Sequence, residues 1–218
     1  MAITAPRGTT REPVPAGTYP ARLYKVIHYG TIPNTYLGEQ KMTNTIRLDF
    51  ELPTETKVFD KAKGEQPLSI SKEYTLSMNE KANLCKDLES WRGKKFTDED
   101  AVNFNILSVI GKECMINIAH KTSNSTGNVY SYIASISPMP KGMECPPQVN
   151  PSFVWDYDTN FDDSVLQNMH EFFQTKIKSS IEYKMKMEPF DIQEAPMPTA
   201  DDDPGEGISE GSNDGLPF

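Results

Sequence analysis

The sequence has few residues suited to holding a metal. Its three cysteines, Cys85, Cys114 and Cys145, stand far apart, no CxxC pair occurs, and there are only three histidines. This argues against a structural zinc site, and the sparse thiols fit a reducing cytosol. No run of about 18 apolar residues occurs, so no membrane-spanning helix is expected. The start, Met1-Ala2-Ile3-Thr4-Ala5-Pro6, carries no apolar signal run, so no export is expected. P-loop, GxSxG and HExxH motifs are all missing. The expectation is a chain that is not an enzyme and needs no cofactor.

Acid is abundant but unevenly placed. The net charge is -9, which taken whole disfavours a nucleic-acid partner. Residues 1–150 hold 18 Lys+Arg against 16 Asp+Glu, a balance of +2, and residues 151–218 hold 4 against 15, a balance of -11. Asymmetry of this kind marks an interaction tail on a mildly basic body.

Residues 1–16 carry Pro6, Pro13 and Pro15 and read as a flexible arm. A strand is predicted from Thr18 to Tyr29, a loop over 30–41, and a strand over 42–52. In that second strand Met42, Ile46, Leu48, Phe50 and Leu52 share one face, and Thr43, Thr45, Arg47, Asp49 and Glu51 form a wet one. Pro53 ends it, residues 53–67 read as a charged loop, and a third strand runs from Ser69 to Met78. Asn79 is the expected N-cap of a helix with Ala82, Leu84, Cys85, Leu88 and Trp91 on its apolar stripe and Gly93 at its end. Thr97-Asp98-Glu99-Asp100 opens a short second helix. Strands over 113–121 and 128–137 follow, joined at Asn124, Gly127 and Asn128.

Five strands with a helix between the third and fourth give a mainly β domain over residues 17–141, with the element order of an OB-fold barrel. A small sandwich or SH3-like barrel gives similar strands. Five prolines mark a linker over 138–152. Val165, Leu166, Met169, Phe172, Phe173, Ile177 and Ile181 then predict one amphipathic helix over 164–184. Residues 142–187 form this linker-and-helix segment. Residues 188–218, rich in Pro, Gly, Ser, Asp and Glu, are expected to be a disordered acidic tail.

The last residues, Asp214-Gly215-Leu216-Pro217-Phe218, follow Asp201-Asp202-Asp203, Glu206 and Glu210. The Phe218 ring suits an apolar pocket, its carboxylate suits a basic neighbour, and Pro217 limits the freedom lost on docking. A bland solubilising tail is the alternative. This end resembles the acidic tip of bacterial single-stranded DNA-binding proteins, with Leu216 where isoleucine is common and Gly215 interrupting the acids. The body is similar to phage-encoded single-stranded DNA-binding proteins. That resemblance rests on Gly17-Thr18-Tyr19-Pro20-Ala21-Arg22-Leu23-Tyr24, on Arg47-Leu48-Asp49-Phe50-Glu51-Leu52-Pro53, and on the stretch from Ser77 to Phe96. It implies an OB-fold, a DNA-coating role in the host bacterium's cytoplasm, and a tip (Asp214, Leu216, Pro217, Phe218) that recruits replication, recombination and repair proteins.

Binding a strand without sequence preference needs cations for the phosphates and rings for the bases. The candidates are Arg22 and Tyr24 on the first strand, Tyr36 in the first loop, Arg47, and Lys72 with Tyr74 on the third strand. Lys94 and Lys95 follow the helix, and Lys121, Tyr130 and Tyr132 belong to the last hairpin. Strand aromatics also serve as core, and single lysines as solvated surface. Trp91 reads as core. Asp49 and Glu51 share a face and read as solvated partners of Arg47 rather than metal ligands. Single-stranded DNA is therefore the expected partner, with a homo-oligomer possible in principle. A protein-interaction factor that binds no DNA, and a nuclease, are the competing classes.

Overall fold

The structure is a computed structural model and describes residues 12–36, 38–124 and 126–187. Most of the expected N-terminal arm, the Tyr36 side chain, and the acidic tail with Asp214, Leu216, Pro217 and Phe218 lie outside the described residues.

The fold is mainly β and is organised around its first strand. Strand β1 (Gly17–Tyr36) is rich in β-branched and aromatic residues, as a half-buried strand requires. Its first residues pair antiparallel with β4 (Glu113–Thr122), in register Gly17 to Ile118 and Arg22 to Glu113. Its remainder pairs antiparallel with β2 (Glu39–Asp60). Strands β3 (Gly64–Thr75) and β5 (Val129–Ser137) complete the path β3-β2-β1-β4-β5. The two ends, β3 and β5, approach one another without joining the hydrogen-bonded ladder, so the sheet is not closed into a barrel.

Inside the curl lie Leu23, Leu48, Phe50, Leu52, Ile116, Ile118 and Ile133. Helix α1 (Asn83–Arg92) covers this core with the expected stripe of Leu84, Cys85, Leu88 and Trp91. The Trp91 ring lies 5.7 Å from Phe50, and its Nε1 donates to the Glu113 carbonyl at 2.7 Å. Gly93, at φ 66°, ends the helix in the left-handed conformation. Helix α2 (Asp98–Asn103) is capped by Thr97, whose side chain accepts from the Asp100 N–H.

A second core forms on the far part of β1. Ile27, Tyr29 and Ile32 meet Trp155, Tyr157, Leu166 and Ile177. The proline-rich stretch read as a linker leads directly into β6 (Phe153–Trp155), which pairs parallel with Lys25–Ile27. The single helix expected over 164–184 is three: α3 (Asp163–Gln167), α4 (Glu171–Lys178) and α5 (Ile181–Met187). Asp162 caps its start, accepting from the Ser164 and Val165 N–H groups, and two local caps break it: His170 Nδ1 accepts from the Phe172 N–H and Ser180 Oγ from the Tyr183 N–H. Of the expected stripe, Leu166, Met169, Phe173 and Ile177 pack into the second core, while Val165, Phe172 and Ile181 are left exposed.

The two expected loops are mostly strand. Residues 30–36 pair with 39–45, and 56–60 with 64–67. Gly38 (φ 85°) and Gly64 (φ 70°) allow the tight reversals. Pro53 lies in the register shift between Leu52 and Thr56, where its missing N–H breaks no ladder bond. Asn79 does not cap α1. It accepts from the Lys81 N–H in a turn one step earlier, and Ala82 is the residue that precedes the helix.

Two contacts fasten the second core. Glu182 accepts from the Thr31 N–H at 2.6 Å and from Thr31 Oγ1 at 2.7 Å, and the Tyr157 hydroxyl donates to the Tyr29 carbonyl at 2.9 Å. Gly30 permits the approach. Its φ is +80°, and a Cβ there would stand 2.5 Å from Glu182 Oε2 and 2.9 Å from Tyr157 Cε2. Gly30→Ala is therefore expected to lower the unfolding free energy by about 2–3 kcal/mol, read from a denaturant midpoint.

The turn after β6 is held by Asp156, which accepts from the Asp158 and Thr159 N–H groups at 2.8 and 2.7 Å and from Asn160 Nδ2 at 2.6 Å. Burial opposes its charge, but these bonds outweigh burial and hold the carboxyl at about 2. A depressed carboxyl stabilises the fold above its ordinary value and loses that contribution as pH falls through its folded value. Between pH 4 and 2 the wild type is expected to lose stability more steeply than Asp156→Ala, checked by denaturant titration at each pH.

Candidate nucleic-acid interface

Alternation sets the outer face of the sheet. Core residues Leu48, Phe50 and Leu52 point inward on β2, so Arg47, Asp49 and Glu51 point outward. Across the ladder stand Glu73 opposite Arg47, Ser71 opposite Asp49 and Ser69 opposite Glu51. On β1 a bulge between Leu23 and Lys25 interrupts the alternation. Tyr24 and Lys25 are consequently both partly exposed, between the buried Leu23 and Val26.

This is the face expected to be wet, and the structure corrects that expectation. Residues 142–187 fold back across it. Glu51 is fully buried and accepts from the Val149 N–H at 2.9 Å and from the Asn150 N–H and Nδ2, both at 2.8 Å. Asp49 is 5 % exposed, with Arg47 Nε at 2.6 Å and Lys25 Nζ at 3.8 Å. Burial raises the Asp49 carboxyl above its ordinary range, against the pull of Arg47 and Lys25. Glu73 receives Lys176 at 2.6 Å and the Tyr29 hydroxyl at 3.2 Å. The Arg47 guanidinium lies 5.2 Å from the centre of the Phe173 ring of α4.

Two clefts stay open on either side of this seam. One, of 300 Å³, is lined by Val14, Arg47, Ser69, Ser71 and Tyr130. The other, of 470 Å³, is lined by Tyr24, Lys25, Phe153, Phe173, Asn150, Asn168 and His170. Arg47 of the first stacks on Phe173 of the second. Burial, then the Asp49 charge, raise the Tyr24 hydroxyl above the ordinary range.

The sequence candidates divide. Arg47, Tyr24 and Tyr130 come together along this seam. Tyr130 and Tyr132 are 44 % and 40 % exposed on β5, and Lys121 stands directly opposite Tyr130. Arg22 does not join them. Its guanidinium donates to the carbonyls of Gly111, Cys145 and Pro146 and pairs with Glu113 at 3.0 Å, so it is a clamp between β1 and the 145–146 stretch. Tyr74 is a core residue, 3 % exposed, whose hydroxyl donates to Asp87 Oδ2 at 2.8 Å. Lys72 joins the same carboxylate at 2.6 Å, on the α1 side of the sheet. Lys94 and Lys95 are exposed beyond α1 and make no ion pair among the described residues. Tyr36 pairs through its backbone with Glu39 at the far hairpin.

Lys25 and Phe153 are not among the binding candidates read from the sequence, and Phe173 is read there only as part of a helix stripe. Phe153-Val154-Trp155 was a legible strand signal, but its pairing with β1 was not.

No protein-family model matches this sequence, and no curated protein matches it.

Replacing Arg22 by Lys keeps the charge but not the planar fork that spans three carbonyls. Arg22→Lys is expected to lower stability by about 1–3 kcal/mol, measured by urea unfolding.

Proposed function

We propose that this chain binds single-stranded DNA without strong sequence preference, along the outer face of β1–β3, in a non-catalytic role in phage replication or recombination. One observation carries the reading: two adjoining clefts set the rings of Tyr24, Tyr130, Phe153 and Phe173 beside Arg47 and Lys25 on one sheet face. Rings that stack on bases, next to cations, are what sequence-tolerant strand binding requires.

The proposed fold is a partly open OB barrel. Its support is the strand path with β1 between β2 and β4, the helix between β3 and β4 over the core, and the approach of β3 to β5. In that fold the strand 2–3 face, with the 1–2 and 4–5 loops, takes oligonucleotides. The resemblance to phage-encoded single-stranded DNA-binding proteins supports the same assignment. Asp49 and Glu51 are engaged by Arg47, Lys25 and the N–H groups of residues 149 and 150, which favours a binding surface over a nuclease centre.

The second half of the proposal is recruitment of replication and repair proteins by Asp214, Leu216, Pro217 and Phe218. The acids before this hook would speed approach to basic partners in a salt-sensitive way. The pairing of Lys25 and Arg47 with Asp49 favours one competing reading, an interaction protein that engages host DNA-processing proteins with no DNA bound.

A fluorescence titration with oligo-dT decides between them. Binding at about 50 mM salt that weakens as salt rises is expected; no binding there leaves the interaction protein. Tyr130→Ala should weaken binding by about 1–3 kcal/mol with unchanged stability, and an unaltered affinity would move the interface off this face. Phe218→Ala should abolish capture of partner proteins while sparing oligo-dT binding; intact capture reduces the tip to a solubilising tail.

A further inference from the structure

The 470 Å³ cleft is more specific than a stacking surface. Its rings come from three elements: Tyr24 from β1, Phe153 from β6 and Phe173 from α4. All three surround one ammonium. Lys25 Nζ lies 5.5 Å from the Tyr24 ring centre and 5.9 Å from those of Phe153 and Phe173. Asp49, 3.8 Å from the same Nζ, holds it there.

The polar groups at this cleft have fixed roles. Asn150 Nδ2 donates to Glu51 Oε2 at 2.8 Å, and of the two ends of an amide only the nitrogen can donate to a carboxylate, so the amide orientation is set. Asn168 Nδ2 donates to the Ser164 carbonyl at 2.8 Å, which sets the second amide in the same way. Each Asn therefore keeps an Oδ1 acceptor with no partner among the described residues. His170 Nδ1 accepts from the Phe172 N–H at 3.2 Å, so in the neutral ring the proton sits on Nε2, a donor with no partner among the described residues. The cleft thus combines aromatic rings, a cation, two acceptors and one donor.

We propose that this cleft is a subsite for a single unstacked nucleobase that carries an exocyclic amino group. The inference rests on the reading that the chain binds single-stranded DNA. An exocyclic amine offers two N–H donors to the two Asn oxygens, and the adjacent ring nitrogen of adenine or cytosine accepts from His170 Nε2. Thymine has a carbonyl where the amine would be and sets two oxygens against each other. Lys25 faces the electron-rich edge or the flanking phosphate. The subsite gives a largely sequence-tolerant surface one position at which thymine is disfavoured.

The test uses the full chain and two 15-mers. One is all thymidine; the other carries a single central 2-aminopurine, an amino-bearing base whose fluorescence is quenched by stacking. The aminopurine strand is expected to be quenched on binding and to bind about fivefold or more tighter than the thymidine strand, the effect of about one added hydrogen bond. Asn168→Ala, at an exposed amide, should erase that preference and bring the two strands to equal affinity. Phe153→Leu should relieve the quench; its denaturant midpoint is measured alongside, and Asn168→Ala decides the matter if Phe153→Leu is unfolded. Binding of both strands with equal affinity, or a preference that survives in Asn168→Ala, overturns the subsite while leaving single-strand binding in place. Failure of both strands to bind overturns the underlying reading and the subsite with it.

Discussion

Glu51 is a carboxylate with no exposure to solvent, and the position of residues 143–187 follows from how its charge is met. An isolated buried carboxylate costs several kcal/mol. Here the backbone N–H groups of Val149 and Asn150, and the Asn150 amide, converge on it. Those donors lie at the end of a proline-rich stretch with little freedom of its own. Once they are anchored, the chain is three residues from Phe153, and β6 meets Lys25–Ile27 in register. The second core, the short helices and the aromatic cleft are downstream of that anchor. Arg22 fixes the same stretch a few residues earlier, through the Cys145 and Pro146 carbonyls.

The same arrangement sets the electrostatics of the face. Lys25 and Arg47 each lie against Asp49, and Lys176 against Glu73. Cations so paired neutralise their carboxylates and leave little net positive field. A strand held on this face would draw its affinity mainly from base stacking, and less from counterion release, than on a strongly basic groove. Cations with no ion pair among the described residues stand at the margins: Lys121 opposite Tyr130, and Lys94 with Lys95 beyond α1. This is consistent with a body whose formal balance over residues 1–150 is only +2.

Local signals were legible in the sequence and long-range ones were not. The stripe of α1, its Gly93 stop, the Thr97 cap and the β4–β5 hairpin each rest on spacing within a few residues, and the structure has them where the pattern puts them. The two hairpin extensions were hidden because Pro33, Asn34, Gly38 and Gly64 look like loop residues. In a two-stranded ribbon, pairing across the turn overrides that preference. The helices after residue 162 keep Leu166, Met169, Phe173 and Ile177 of the expected stripe in the second core, but the caps His170 and Ser180 cut the segment into three. Nothing local in the chain indicated that Arg22 would find carbonyls more than 80 residues away, or that Asp49 and Glu51 would be covered.

The bulge at Tyr24 shows why the candidate site was only partly legible. With strict alternation, Arg22 and Tyr24 share one face and Lys25 lies with the core. The extra residue between Leu23 and Lys25 shifts the register against β2. Leu23 and Val26 both stay in the core, three apart rather than two, and Tyr24 and Lys25 are left side by side at the surface. That step places an ammonium within 6 Å of the Tyr24, Phe153 and Phe173 rings, because it lies where β1 leaves β4 and takes up β6. A bulge is set by which strands lie on either side, and so by the fold as a whole. Of the residues of the cleft only Tyr24 was legible as a binding candidate, because the irregularity that gathers them depends on a strand arriving from more than 120 positions further along the chain.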